Sequence, residues 1–101
     1  MIQLVVVFRL NDQATEERVA SFRRELDVLT AETASLGVIE CHAGGQTAGS
    51  DRMGDFGIAA LFDDEDALRA WIEHPHHRDI TRDYTRVLVA ESHSVQFVVD
   101  A

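Results

Sequence analysis

The chain has 101 residues, 46% hydrophobic and 27% charged, which is typical of a folded globular protein and argues against a disordered or fibrous one. Nine basic residues against eighteen acidic ones give a formal net charge of −9, which disfavours nucleic acids and anionic membrane surfaces as partners. Cys41 is the only cysteine, so no internal disulfide is possible. We expect a single domain over residues 1–101, cytoplasmic and without a membrane span.

The chain begins with a predicted strand over residues 2–10, in which both alternating sets of side chains are apolar at their centres. Such a strand is buried on both faces. A helix follows, with Thr15 as its N-cap and Gly37 marking its exit. Its core-facing stripe has spacings of three and four residues: Val19, Phe22, Leu26, Leu29 and Thr33.

Two more strands are predicted in the middle of the chain, over residues 38–43 and 56–62. The second is apolar on successive positions, so neither of its faces is suited to water. Residues 44–50, rich in glycine, predict a mobile connection between the two strands. This segment lacks the Lys-Ser/Thr of a phosphate-binding loop, so a hairpin connection is the preferred interpretation.

The second half of the chain predicts two helices and a last strand over residues 94–99. Asp63 or Asp64 can cap the first helix, and Pro75 both ends it and can start the next one. The inner face of that next helix carries one histidine among mostly apolar residues: His77, Ile80, Tyr84 and Val87. Its outer face is predicted to be polar: His76, Arg78, Asp79 and Arg82.

The predicted order β-α-β-β-α-β indicates an α+β fold of ferredoxin-like topology, a four-stranded antiparallel sheet with its helices on one face. Strands one, three and four then carry apolar residues on the face that the helices cannot cover. A second copy of the sheet laid against that face would cover them. The sequence therefore predicts a homodimer.

Four stretches of the chain carry a resemblance to a known family. They are Val-Val-Val-Phe-Arg-Leu in the first strand, Thr-Glu-Glu at the first helix, the segment Phe62-Asp63-Asp64-Glu65-Asp66-Ala67-Leu68, and His74-Pro75-His76-His77. The last stretch is similar to the His-Pro-x-His signature of the stress-responsive dimeric α/β-barrel (Dabb) domain family. The resemblance spans nearly the whole chain and implies two ferredoxin-like subunits whose sheets pack into a dimeric α/β barrel.

One plant branch of that family cyclises linear polyketides by an intramolecular aldol reaction, without a metal or redox cofactor. The histidine that ends the signature is implicated in proton transfer there, and the resemblance places His77 at that position. Leu4, Phe56 and Trp71 stand where the branch has two further histidines and a tyrosine. The resemblance implies, as one alternative, a cofactor-free acid–base enzyme (cyclase, lyase or isomerase) that uses His77.

His77 is the first candidate for chemistry because an imidazole on an apolar face titrates near neutrality and can act as acid or base. Tyr84 is the second candidate. Alternatively, His77 only hydrogen-bonds a backbone carbonyl.

We expect a cavity between sheet and helices that binds a small apolar or aromatic molecule through eight residues: Leu4, Phe8, Phe56, Ile58, Trp71, His74, His77 and Tyr84. Core packing also explains these aromatics, so a structural or stress-protective dimer without a substrate is the remaining alternative.

The histidines around Pro75 also raise the question of a metal site. The spacing of His74, His76 and His77 across the proline is poor for convergence on one ion, so we expect neither a metal nor another cofactor. His74 is expected to cap the helix junction instead. Cys41 has no obvious activating base, and we expect it to be an inert packing residue.

Overall fold

The structure is a computed structural model that describes residues 1–46 and 55–100. Its elements in chain order are β1 (Ile2–Leu10), α1 (Glu16–Thr33), a 3₁₀ turn (Ala34–Leu36), β2 (Val38–Gly45), β3 (Phe56–Phe62), α2 (Glu65–Glu73), α3 (Pro75–Ile80), a π-helical turn (Thr81–Thr85), α4 (Arg86–Leu88) and β4 (Val89–Val98). No helix formed by these residues is both long and apolar enough to cross a membrane.

The four strands form one sheet in the order β2-β3-β1-β4, and every neighbouring pair is antiparallel. Leu4 lies opposite Ala60 and Phe8 opposite Phe56 in the central pair, so both strands present their most buried side chains to the helices. The predicted ferredoxin-like α+β fold is confirmed.

Helix α1 begins and ends where the sequence predicts. The Thr15 side chain accepts a hydrogen bond from the backbone N–H of Arg18 at 3.3 Å, which satisfies one of the free donors of the first turn. Four residues of the predicted stripe are buried and the fifth is partly buried: Phe22, Leu26, Leu29 and Thr33, with Val19 at the margin. The chain leaves the helical segment at Gly37, whose φ of 100° is strained for any residue with a side chain.

The junction between α2 and α3 is also built as predicted. Asp64 caps α2, its carboxylate accepting from the Ala67 N–H at 2.8 Å. Pro75 is the first residue of α3, and Nδ1 of His74 accepts from the His76 N–H at 3.1 Å. One histidine therefore ends one helix and caps the next, as expected.

Two strands extend beyond their predicted bounds. The assignment of Gly44 and Gly45 to a connection was wrong, because β2 continues to Gly45 and pairs with the start of β3. Residues 47–50 of that connection lie outside the described residues. Strand β4 starts at Val89, five residues earlier than predicted, because it pairs along the whole length of β1. Its first half has no apolar pattern, since it lies at the edge of the sheet and is exposed.

The inner face of the α3 region differs from the prediction at its end. Val87 was expected to face the core, but its exposed fraction is 42%, whereas Leu88 is 1% exposed. The π-helical turn Thr81–Thr85 adds one residue to the helical repeat, so the buried position moves one place along the chain.

The side of the sheet that faces away from the helices is apolar along three strands. Val5 and Val7 of β1 lie beside Ala59 of β3, and the other neighbour, β4, presents Val95 and Phe97, which are 56% and 48% exposed. The described residues leave this surface, hereafter the open face, uncovered. The apolar face expected from strands one, three and four is thus present.

Candidate functional site

A cavity of about 290 Å³ lies between the sheet and the helices, at the lower end of the range for small-molecule sites. Its apolar wall comes from two strands and the helices: Leu4, Val6, Phe8, Ile58, Phe22, Leu26, Trp71, Ile72 and Ile80. Its polar groups are one imidazole and four hydroxyls: His77, Thr81, Thr85, Ser92 and Ser94. No charged side chain of the described residues lines it.

The cavity exists because the helices do not cover β4. Ser92 and Ser94 lie opposite Phe8 and Val6 on β1, so they belong to the helix-facing side of the sheet. Both serines are nevertheless exposed, so the helices of the described residues leave this part of β4 open to solvent. Small hydroxyl side chains at this edge leave space that larger residues would fill.

His77 forms the polar part of the cavity wall next to Trp71. The two rings meet edge to face, with centroids 4.8 Å apart and planes at 67°. Burial, reinforced by the nearby His74, lowers the pKa of His77 below its ordinary value, so the ring is neutral at pH 7. Its ring nitrogens have no hydrogen-bond partner in the described part of the chain, so the interpretation of His77 as a histidine bonded to a backbone carbonyl is not supported.

Trp71 presents a second polar group without a partner. Its Nε1–H is fully buried, and no acceptor among residues 1–46 and 55–100 reaches it. The rest of the indole packs edge to face against Phe62, with ring centroids 5.5 Å apart. A buried donor left unpaired typically costs about 1–3 kcal/mol of stability.

His76 does not face outward, and that prediction was wrong. Its side chain is 17% exposed and packs against α1, where its ring nitrogens lie 2.5 Å from a Glu25 oxygen and 3.1 Å from a Glu32 oxygen. Hydrogen bonding to Glu25 is the main cause that raises the pKa of His76. Successive residues of a helix point about 100° apart. His76 therefore ties α3 to α1, and His77 lines the cavity.

The structure brings together five of the eight predicted ligand-binding residues: Leu4, Phe8, Ile58, Trp71 and His77 line the cavity. The other three lie elsewhere. Phe56 stacks on Phe22 with centroids 5.3 Å apart, inside the packed core. His74 caps α3. Tyr84 also stacks on Phe22, at 5.7 Å and an interplanar angle of 5°, and faces a separate depression beside Glu25.

Sequence reasoning missed nine wall residues: Val6, Phe22, Leu26, Ile72, Ile80, Thr81, Thr85, Ser92 and Ser94. For the threonines a signal was present, because Thr81 and Thr85 follow His77 at steps of four and share its helix face. For Ser92 and Ser94 the signal was the alternation of small hydroxyl residues in β4, which had been assigned to the wrong bounds.

Two further groups that the sequence raised are the possible metal ligands and Cys41. In residues 1–46 and 55–100, no three His, Cys, Asp or Glu side chains are placed to hold a metal ion. Burial raises the pKa of the Cys41 thiol, so the less nucleophilic protonated form is favoured at pH 7.

Comparison with known proteins places this geometry in a family. Residues 2–99 match the family described as Stress responsive A/B Barrel Domain, or Dabb. No curated protein matches the chain. A dimeric ferredoxin-like protein of unknown function from Thermobifida fusca is similar, with a TM-score of 0.84 and 28% identity over 97% of this chain and 90% of that one.

Two further solved structures share the fold at lower identity. A Dabb family protein from Mesorhizobium loti has a TM-score of 0.76 and 22% identity over 99% of this chain and 97% of that one. A hydroxynitrile lyase from Passiflora edulis has a TM-score of 0.79 and 7% identity, covering 98% and 93%. The family match over nearly the whole length is decisive: the chain belongs to the stress-responsive α/β-barrel domain (Dabb) family.

Proposed function

We propose that this protein is a homodimeric α/β barrel that binds a small apolar or aromatic molecule in the cavity beside His77. The observation that carries the proposal is a cavity of about 290 Å³ whose wall combines apolar side chains with a neutral imidazole that has no partner among the described residues. A core built only for stability fills such space and pairs such groups.

The distribution of polar groups indicates how a ligand is oriented. Leu4, Val6 and Ile58 form an apolar floor, which suits the flat face of a ring. The Thr81 hydroxyl donates to the His77 carbonyl oxygen at 3.1 Å and can accept a hydrogen bond from a ligand, and the Ser94 hydroxyl can donate or accept one. A molecule with an apolar body and one or two polar substituents matches this wall.

The homodimer is supported by the open face. Val95 and Phe97 are about half exposed in the single chain, and the packing of a second sheet would remove them from water. The similar Thermobifida fusca protein is described as dimeric. We infer that two copies of this chain pack sheet against sheet.

A second candidate function is cofactor-free acid–base catalysis, as in a cyclase, lyase or isomerase. The specific observation in its favour is the lowered pKa of His77, which keeps the imidazole in its basic form at neutral pH within the cavity. The Passiflora lyase shares the fold, so the scaffold is compatible with an enzyme. Tyr84, the other catalytic candidate, is stacked on Phe22 and does not line the cavity. A purely structural or stress-protective dimer would bind no ligand.

Ligand binding is tested by screening small aromatic molecules against the protein with ligand-observed NMR, then repeating the screen with Ser94→Trp. The indole is expected to fill the cavity from β4 and abolish binding. Gln96→Trp is the matched control, because Gln96 lies on the same strand and side but does not line the cavity. Absence of any binder to the wild type, or binding that survives Ser94→Trp, contradicts the proposal and favours the structural dimer.

Catalysis is tested on any substrate that the screen reveals. His77→Ala is expected to remove turnover while the protein still folds, and the wild-type rate is expected to rise with pH through a value below 6.5, as the ring loses its proton. Arg69→Ala is the control, since Arg69 is exposed on α2 and does not line the cavity. Turnover that is unaltered in His77→Ala rejects this function but leaves ligand binding intact.

The dimer is tested by analytical ultracentrifugation. The wild type is expected to sediment at twice the 11.3 kDa mass of the chain, and the double variant Val95→Glu/Phe97→Glu as a monomer, because two charges would be buried in the interface. Val87→Glu, also at an exposed position but on the helical side, is expected to remain a dimer. A folded wild-type monomer would contradict the inference.

A further inference from the structure

A second depression adjoins the cavity on the outer side of the helices. It encloses about 500 Å³ and is lined by Ile72, His77, Arg78, Asp79, Thr81, Arg82 and Arg86. We call it the arginine groove. Ile72, His77 and Thr81 line both the groove and the cavity, so the two spaces meet at these three side chains. The groove is therefore directly adjacent to the cavity.

The groove concentrates positive charge on an acidic protein. The chain carries a net charge of −9, and all nine of its basic residues are arginines. Three of these nine arginines line the groove, together with one acidic residue, Asp79. An anion is repelled by most of the surface, so a local excess of arginine is the kind of feature that recruits one.

The three arginines are not equivalent. Arg82 is held by Asp83, with nitrogen–oxygen distances of 2.7 and 3.0 Å, and by Asp79 at 3.3 Å. Arg78 and Arg86 have no ion-pair or hydrogen-bond partner for their side chains among the described residues, and both are exposed. Two guanidinium groups beside the cavity are thus free to bind a ligand.

The cavity and the groove have complementary chemistry. The cavity wall contains no charged side chain of the described residues, so an ionised group placed inside it would lose its hydration without compensation. The groove offers guanidinium groups, which bind carboxylate and phosphate oxygens through paired hydrogen bonds. An amphipathic anion can satisfy both environments at once.

We propose that the arginine groove binds the anionic end group of the ligand whose apolar body fills the cavity, with Arg78 and Arg86 as the binding residues. This inference rests on the ligand binding proposed above and narrows the ligand class to apolar molecules with a terminal carboxylate or phosphate. Arg82 remains with its two aspartates and positions the groove wall. His77, Thr81 and Ile72 then contact the segment between the two ends of the ligand.

The experiment compares matched probes by isothermal titration calorimetry on the full chain. The probes are 3-phenylpropanoate, 4-phenylbutanoate and 4-phenylbutyl phosphate, with 3-phenylpropan-1-ol and 4-phenylbutan-1-ol as their uncharged counterparts. Arg78→Gln/Arg86→Gln is expected to weaken binding of the anions by about fivefold or more and to leave the alcohols unchanged. High salt is expected to weaken the binding of the anions to the wild type and to have little effect on the binding of the alcohols.

Arg23→Gln/Arg24→Gln is the control for net charge. It removes the same two positive charges from exposed positions of α1 that line neither the cavity nor the groove. It is expected to change anion binding by less than about twofold. Far-ultraviolet circular dichroism checks that both double variants fold.

The outcomes separate the two proposals. The groove proposal is overturned if the alcohols bind and the affinity for the anions is the same in Arg78→Gln/Arg86→Gln as in the wild type. It is also overturned if that affinity falls as much in Arg23→Gln/Arg24→Gln as in the groove variant. In both cases ligand binding in the cavity stands. If no probe binds the wild type, both proposals fail. If the affinity for the anions falls only in Arg78→Gln/Arg86→Gln, the groove is assigned as the site of the anionic end group.

Discussion

The helix-facing side of β3 and that of β4 belong to the same sheet but have opposite character. On β3 the four residues on this side are at most 5% exposed: Phe56, Ile58, Ala60 and Phe62. On β4, by contrast, Ser92, Ser94 and Gln96 are exposed in the same orientation. One region of the sheet is closed by helices and the other is left open at its edge. The fold thus separates a packed region of the sheet from an adjacent cavity.

Removing a side chain from the packed region has the largest expected effect. Leu29 of α1 is fully buried, so Leu29→Ala is expected to lower the free energy of unfolding by about 3 kcal/mol through lost burial and the resulting void. Ile72→Ala, at the cavity margin where the side chain is 45% exposed, is expected to cost less than about 1 kcal/mol. Urea unfolding at one fixed protein concentration measures both. Equal losses would show that the cavity region is packed as tightly as the core.

Enlarging a side chain is expected to destabilise the packed region but not the cavity region. Ala60→Leu is expected to cost about 1–3 kcal/mol, because Ala60 is fully buried and the neighbouring side chains leave no room. Ser94→Leu places the same side chain on the same side of the sheet, where the cavity accepts it, and the expected change is within about 0.5 kcal/mol. Thermal unfolding of the two variants checks the difference. A large loss in Ser94→Leu would mean that the cavity closes in solution.

The smallest effects are expected from two adjacent histidines, which respond to pH with opposite signs. The pKa of His77 is lowered on folding, so on acidification the unfolded chain binds a proton more readily and stability falls as the pH drops below 6.5. The pKa of His76 is raised by Glu25, so its stabilising contribution is complete below 6.5 and disappears as the pH rises through the higher folded value.

As the pH falls from about 8 to 5.5, we therefore expect the free energy of unfolding of His77→Gln to rise relative to that of the wild type. Over the same fall in pH, that of His76→Gln is expected to drop relative to the wild type. Each change is expected to be less than about 1 kcal/mol. Urea midpoints measured across that range provide the test. If both variants follow the wild type in parallel, neither ring changes its proton affinity on folding.

The sequence predicted those features that depend on local chemistry. Thr15 and Asp64 cap helices because their side chains reach the free N–H groups two or three residues ahead, and Pro75 starts a helix because it has no N–H to lose. The fold followed from the order of such elements. His77 was placed in the cavity wall by its spacing from Ile80 on one helix face.

Features that depend on neighbouring segments escaped prediction. Strand β4 starts early because β1 provides partners, not because its own residues favour a strand. His76 turns inward because Glu25 and Glu32 of α1 lie beside it, and those carboxylates are more than forty residues away in sequence. The π-helical turn Thr81–Thr85 leaves no periodic signature, so Leu88 could not be recognised as the buried residue in place of Val87.

The π-helical turn also has an evolutionary consequence. A segment with one residue more than an α-helix requires can lose that residue by a single codon deletion and rewind into regular helix. Such a deletion would rotate the residues that precede the turn by about 100° relative to those that follow it. Related proteins can therefore present different hydroxyls to the same space through one change in length, without altering the sheet.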